Sequence, residues 1–270
     1  VTRPTTALAR AELRARHRTV LALCAGTFVF LLVLAGTYTA LGGAAGLAKS
    51  FGSRQPAFFS AFAGTRSANI FTPGNFVGFG YLHPLFVVLT LAVGISIGTA
   101  SVAGDIETGR VELLYTRPLR RTTLLDARLG VWAVAQIAVV AAGVAGSWIG
   151  TRLSHDLRDV SLAVDVRIAA EYLPLAAVFG AVAFAASATA RTRGRALAVT
   201  VGVAAIAYLV NFVALLWHPM AWAQRVTPFG YYSPLESIDR VNVGDVALLL
   251  GVAVVLVLAA RWWLERRDLV

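Results

Sequence analysis

Val246-Ala247-Leu248-Leu249-Leu250-Gly251-Val252-Ala253-Val254-Val255-Leu256-Val257-Leu258-Ala259-Ala260-Arg261-Trp262-Trp263-Leu264 decides the fold. From Val246 to Ala260 no side chain carries a charge or a hydrogen-bonding group. About 20 such residues, wound as a helix, cross the roughly 30 Å of bilayer hydrocarbon. Trp262 and Trp263 close the run, where amphipathic rings sit at the headgroups. Five earlier runs qualify. The spans are predicted at about 19–41, 82–103, 129–151, 172–190, 196–217 and 246–264.

Composition agrees. Of 270 residues 58% are hydrophobic and 14% charged, where soluble domains carry roughly 25% charge. Mean hydropathy is +0.72. The fold class is all-α: a polytopic membrane protein of six transmembrane helices in a single transmembrane domain, residues 1–270. We expect neither an attached soluble domain nor a cleavable signal peptide. The single cysteine, Cys24, excludes an internal disulfide.

The net charge of +10 does not point to nucleic acid, because the basic residues sit in short clusters between apolar runs. With the N-terminus inside, 16 of the 24 Lys and Arg fall in cytoplasmic segments. That excess is the positive-inside pattern, so both termini are expected in the cytoplasm of a cell that carries this chain in its plasma membrane. Arg10, Arg14 and Arg18 recur every four residues and form one helical stripe. Residues 1–18 are therefore predicted as a cytoplasmic amphipathic helix on the anionic inner leaflet, in preference to a frayed basic tail. Ala57 to Phe62, in the long first outer segment, reads equally well as an interfacial helix or a packed loop.

Several chemistries are missing. There is no phosphate-binding Gly-x-x-x-x-Gly-Lys-[Ser/Thr] loop, and the lone lysine, Lys49, lies in an outer segment. No zinc helix and no nucleophile elbow occur. His83, His155 and His218 are scattered, so no catalytic residue and no metal site is assigned. No acid falls clearly mid-span, and Glu171 comes closest, as an interfacial charge at the outer end of the fourth span. Proton-coupled carriers keep acids inside their spans. The neutral groups in the spans, among them Ser96, Ser187, Tyr208 and Asn211, suit either a pathway for amphipathic cargo or ordinary interhelical hydrogen bonds. Gly94-x-x-x-Gly98 and Gly146-x-x-x-Gly150 allow close helix approach, within the chain or between copies.

The loop after the second span is more informative: Gly104-Asp105-Ile106-Glu107-Thr108-Gly109-Arg110-Val111-Glu112-Leu113-Leu114-Tyr115-Thr116-Arg117-Pro118-Leu119-Arg120-Arg121-Thr122-Thr123-Leu124-Leu125. It mixes acids, bases and apolar residues. Val111, Leu113 and Leu114 would give a short helix one apolar edge, interrupted at Pro118. Arg120 and Arg121 precede a second short amphipathic piece that leads into the third span. Such cytosolic helices suit a groove on another protein.

Through Asp105, Glu107, Gly109, Glu112, Leu113, Leu114, Pro118 and Arg121, this loop resembles the signature of type-2 ATP-binding-cassette (ABC) exporter permeases. The family often has Thr where this chain has Arg110 and Lys where it has Arg128. The six-span plan and unequal loops resemble it over nearly the whole chain. The resemblance implies a permease subunit that pairs with a second permease copy or paralogue and with two separate ABC ATPase subunits. ATP and Mg would be held by those partners, and no cofactor by this chain. It implies ATPase-coupling roles for Asp105, Glu107, Gly109, Arg110, Glu112, Pro118, Arg120, Arg121 and, in the turn after the fourth span, Arg193. Cargo would move outward between the permeases, an amphipathic or lipid-like compound such as a drug or antibiotic. The rival readings are an ATP-independent secondary carrier or channel, and a membrane scaffold.

Overall fold

Nothing from Thr5 to Ala25 breaks a helix, and α1 runs unbroken over Pro4–Ala40. At 37 residues it is about 55 Å long, well beyond the hydrocarbon thickness. The basic segment anticipated as an interfacial helix is therefore continuous with the first span, as its N-terminal end. The structure, a computed structural model, describes residues 4–51, 61, 69–110 and 121–267. The coupling helix expected around Val111–Leu114, with Glu112, Pro118 and Arg120, lies outside them, as does most of the Ala57–Phe62 patch.

After α2 (Gly43–Phe51) come α3 (Pro73–Leu82) and α4 (Pro84–Thr99), joined at His83 with a 44° bend. The cause is Pro84, which has no N–H to give the helix and forces the preceding residue out of the helical region; His83 sits at φ −56°, ψ 133°. The second span is thus a bent pair that begins at Pro73, nine residues before its predicted start. Next are the one-turn α5 (Ala103–Glu107) and α6 (Arg121–Leu153). The amphipathic piece predicted ahead of the third span is the first part of α6, continuous with it. The remaining long helices are α7 (Leu162–Thr189), α8 (Arg193–Leu216) and α9 (Val243–Arg266). Short 3-10 turns at His218–Val226 and Pro228–Tyr231 follow α8. Among the described residues five helices are long and apolar enough to cross a membrane, six if the bent pair counts as one span. The chain is an all-α polytopic membrane protein.

Helix α7 is the centre of the bundle and packs on α4, α6, α8 and α9. Tyr172, Leu175, Phe179 and Phe184 along it are fully buried. It starts ten residues before the predicted fourth span, capped by Ser161, whose side chain accepts from the Ala163 N–H. Hydropathy hid that start because Asp165, Arg167 and Glu171 dilute it. Both acids are buried against neighbouring elements of the bundle. Asp165 accepts from the Tyr81 hydroxyl at 2.8 Å. Glu171 accepts from the Asn242 N–H at 2.6 Å and from the Ser237 hydroxyl.

The two glycine pairs pack within the chain. A Cβ at Gly98 would lie 2.5 Å from the Ala183 Cβ of α7, and one at Gly150 would lie 2.7 Å from the Ala35 Cβ of α1. A Cβ at Gly146 would run into the Phe28 carbonyl. Gly98→Ala is therefore expected to lower stability by about 1–3 kcal/mol through overpacking. At Gly202 no atom lies within 4 Å of the added carbon. Gly202→Ala should be neutral or gain up to about 1 kcal/mol from helix propensity. Thermal unfolding in detergent compares them, and equal effects at the two positions would refute this packing.

Candidate coupling site and apolar groove

The turn from α4 into α5 is stitched to α7 by one hydroxyl. Ser187 Oγ accepts from the N–H groups of Val102 (3.0 Å) and Ala103 (2.9 Å) and donates to the Thr99 carbonyl at 3.0 Å. This fixes where Asp105 points, which is inward. Its carboxylate is almost wholly buried and lies 2.5 Å from Arg128 of α6. Arg128 also reaches Glu12 of α1 at 2.7 Å and donates to the Ser101 carbonyl. Glu12 pairs in turn with Arg16 at 3.3 Å, and Arg110 approaches Asp105 from the exposed side at 3.6 Å. Burial pushes the Asp105 carboxyl above its ordinary range, with Arg128 opposing.

This network ties α1, the α4–α5 turn and α6 together at one end of the bundle. Of the residues assigned to coupling, Asp105 has its side chain committed inside the protein. Glu12 and the bridging role of Arg128 were not legible in advance. Their one signal was that Glu12 is the sole acid among the five arginines of residues 1–18.

Glu107, by contrast, is exposed and faces across the chain. Its Oε2 accepts from the backbone N–H of Arg193, the first residue of α8, at 2.8 Å. A helix start leaves its first N–H groups without partners, and a carboxylate there also meets the positive end of the helix dipole. Thr192 serves a second N–H, that of Arg195. The α5 segment therefore grips the N-terminus of α8. Gly109 follows at φ +67°, a left-handed turn open to glycine, and Arg110 donates to the Thr108 hydroxyl. Asp105, Glu107, Arg110 and Arg193 are thus brought together. Arg121 opens α6. Arg10, Arg14 and Arg18 lie exposed along α1.

Between α4 and α8 lies a groove of about 610 Å³, within the size range of sites for drug-sized ligands. Pro84, Val87, Leu91 and Ile95 line one wall, Leu197, Val201, Ala204 and Tyr208 the other, and Phe229 also borders it. Its polar lining comes down to Ser96, Arg193 and the Tyr208 hydroxyl. Neither Asp165 nor Glu171 borders it. Among the described residues no three His, Cys, Asp or Glu side chains group as metal ligands.

No curated protein matches the chain. The family model described as ABC-2 family transporter protein matches residues 6–269, nearly the whole chain, and the chain belongs to that family.

Proposed function

We propose that this permease subunit of an ABC transporter moves an amphipathic or lipid-like compound outward through the membrane. In this reading two ATPase subunits hold ATP and Mg, and a second permease copy or paralogue completes the pathway. The observation that carries the reading is the Glu107–Arg193 contact. It joins the segment that would meet the ATPase to the helix that forms one wall of an apolar groove. A push on α5 reaches α8 directly, and the groove between α8 and α4 changes with it. Asp105 acts indirectly in this scheme, by anchoring α5. Glu107, Gly109, Arg110, Glu112, Pro118, Arg120, Arg121 and the backbone of Arg193 form the coupling surface. Of the exposed Arg10, Arg14 and Arg18, Arg18 stands nearest the span and meets the anionic inner leaflet at about 1 kcal/mol, and Arg14 and Arg10 follow one and two turns further out along α1.

The buried acids Asp165 and Glu171 do not revive the carrier reading, since both hydrogen-bond within the bundle and lie away from the groove. Purification of the chain from native membranes tests the proposal. An ABC ATPase should copurify, and ATP hydrolysis should vanish when it is stripped away. Hydrolysis by the stripped permease, or no ATPase in any preparation, would overturn it.

Orientation has its own test. With Cys24→Ser as background, single cysteines at Asp159 and Arg191, both exposed, should react with a membrane-impermeant maleimide from opposite faces. Arg191 should be reached only from inside. Labelling of both from one side would overturn the placement of the termini.

A further inference from the structure

The groove has a chemically asymmetric end. Over most of its length it is apolar on both walls, while at one end stand Ser96 of α4 and Arg193 of α8. Along α8, Arg193 and Tyr208 are separated by about 22 Å at 1.5 Å per residue. That is most of the hydrocarbon thickness, long enough for one extended chain or a drug-sized apolar body. The guanidinium of Arg193 makes no ion pair among the described residues, and the side chain is exposed. Glu107 binds the backbone N–H of this residue, not its side chain. Behind the mouth, Arg16 donates to the Ser96 carbonyl at 3.3 Å while its charge is paired with Glu12, so Arg193 is the cation lining the groove.

We propose that Arg193 is a specificity-determining residue, and that the transported compound is a single-chain or drug-sized amphipath with an anionic head. Its apolar body lies between α4 and α8, and its head meets the Arg193 guanidinium at the cytoplasmic mouth. This deepens the permease reading and rests on it. The physics is charge complementarity in a low-dielectric setting. A fork of guanidinium donors beside an apolar slot favours an oxyanion over an alcohol and rejects a cation. The groove volume suits one such molecule. Because the α8 cap depends on the backbone, replacing the Arg193 side chain leaves the Glu107 contact in place.

The test uses the full chain, with whatever ATPase accompanies it, in phosphatidylcholine nanodiscs without nucleotide. Three probes carry the same diazirine tag: hexadecanesulfonate, hexadecanol and hexadecyltrimethylammonium. The sulfonate should label α4 and α8 residues of the groove at about tenfold lower concentration than the alcohol, with the ammonium weakest. Arg193→Ala should bring the sulfonate to the level of the alcohol and leave the alcohol unchanged. Arg193→Lys should keep most of the preference. Val201→Trp, which fills the slot, should reduce all labelling of the groove. Equal labelling by the three probes in the unmodified chain would overturn the proposal, as would a preference that survives Arg193→Ala. Displacement of the sulfonate by equimolar phosphatidylglycerol would assign the site to a bilayer lipid and also overturn it. The presence of an ATPase is read separately, from its own hydrolysis, so failure of the permease reading and failure of anion selection are distinguishable.

Discussion

Arg128→Ala is expected to cost about 3–5 kcal/mol of stability, a loss typical of removing one partner from a buried ion pair. Folded membrane proteins have only a modest reserve, on the order of 5–15 kcal/mol by analogy with soluble domains, so the yield of folded protein should fall steeply. The substitution strips the cation from Asp105, which is fully buried, and from Glu12, and leaves the Ser101 carbonyl without its donor. Arg128→Lys should recover part of the loss, since one ammonium cannot reproduce a planar fork that reaches three acceptors. Arg261→Ala is the contrast. Its pair with Asp126 is also short, at 2.5 Å, but both side chains are 38% exposed. Solvent screening holds such a pair to about 0–1 kcal/mol. Thermal unfolding of the three variants in detergent decides the matter, and a similar loss for Arg128→Ala and Arg261→Ala would refute the buried network.

The same variant has a pH signature. Burial already raises the Asp105 carboxyl, and Arg128 opposes the rise, so removing Arg128 raises it further. The folded state then binds more protons than the unfolded state between the ordinary carboxylate range and the raised value. Stability therefore falls as pH climbs through that window. The deficit of Arg128→Ala should be smaller in mildly acidic buffer than at pH 8.

Glu107→Ala is expected to abolish the nucleotide-driven movement of α8 while the fold survives. The lost contact is a single exposed helix cap, worth about 0.5–2 kcal/mol, which a bundle of this size tolerates. The functional loss should be disproportionate, because in the proposed mechanism that contact links the coupling segment to the groove. Spin labels at Val88 on α4 and Val201 on α8, both exposed, would report the groove width in the complex with its ATPase. The unmodified chain should show a change in separation on addition of ATP, and Glu107→Ala should show none while ATP is still hydrolysed. Glu107→Gln retains an acceptor for the Arg193 N–H and should restore much of the movement. Arg18→Ala, an exposed arginine of α1 outside the Glu12 network, serves as the control and should leave the movement unchanged. An undiminished distance change in Glu107→Ala would remove this contact from the coupling path.

The apolar runs and the Gly104–Leu125 loop by themselves determined that the chain is a many-span helical bundle of the permease kind. Each of these is a local sum along the chain, and lipid reads them one segment at a time: a helix enters hydrocarbon when its own 20 residues are apolar enough. The same additivity explains the misplaced start of α7. Asp165, Arg167 and Glu171 lower the local sum, yet the helix continues through them, with Tyr81 donating to one oxygen of Asp165 and Ser237 and Asn242 donating to the two oxygens of Glu171. Only the tertiary structure decided the pairings. Glu12 meets Arg128 across 116 positions and Glu107 meets Arg193 across 86. The glycine pairs chose partners within the chain because Ala183, Phe28 and Ala35 present themselves at the right height. The groove lies between α4 and α8, both of which pack on α7. Such contacts depend on which helix faces are turned toward each other. Hydropathy cannot encode that choice, because lipid and a neighbouring helix are equally apolar surroundings for a leucine.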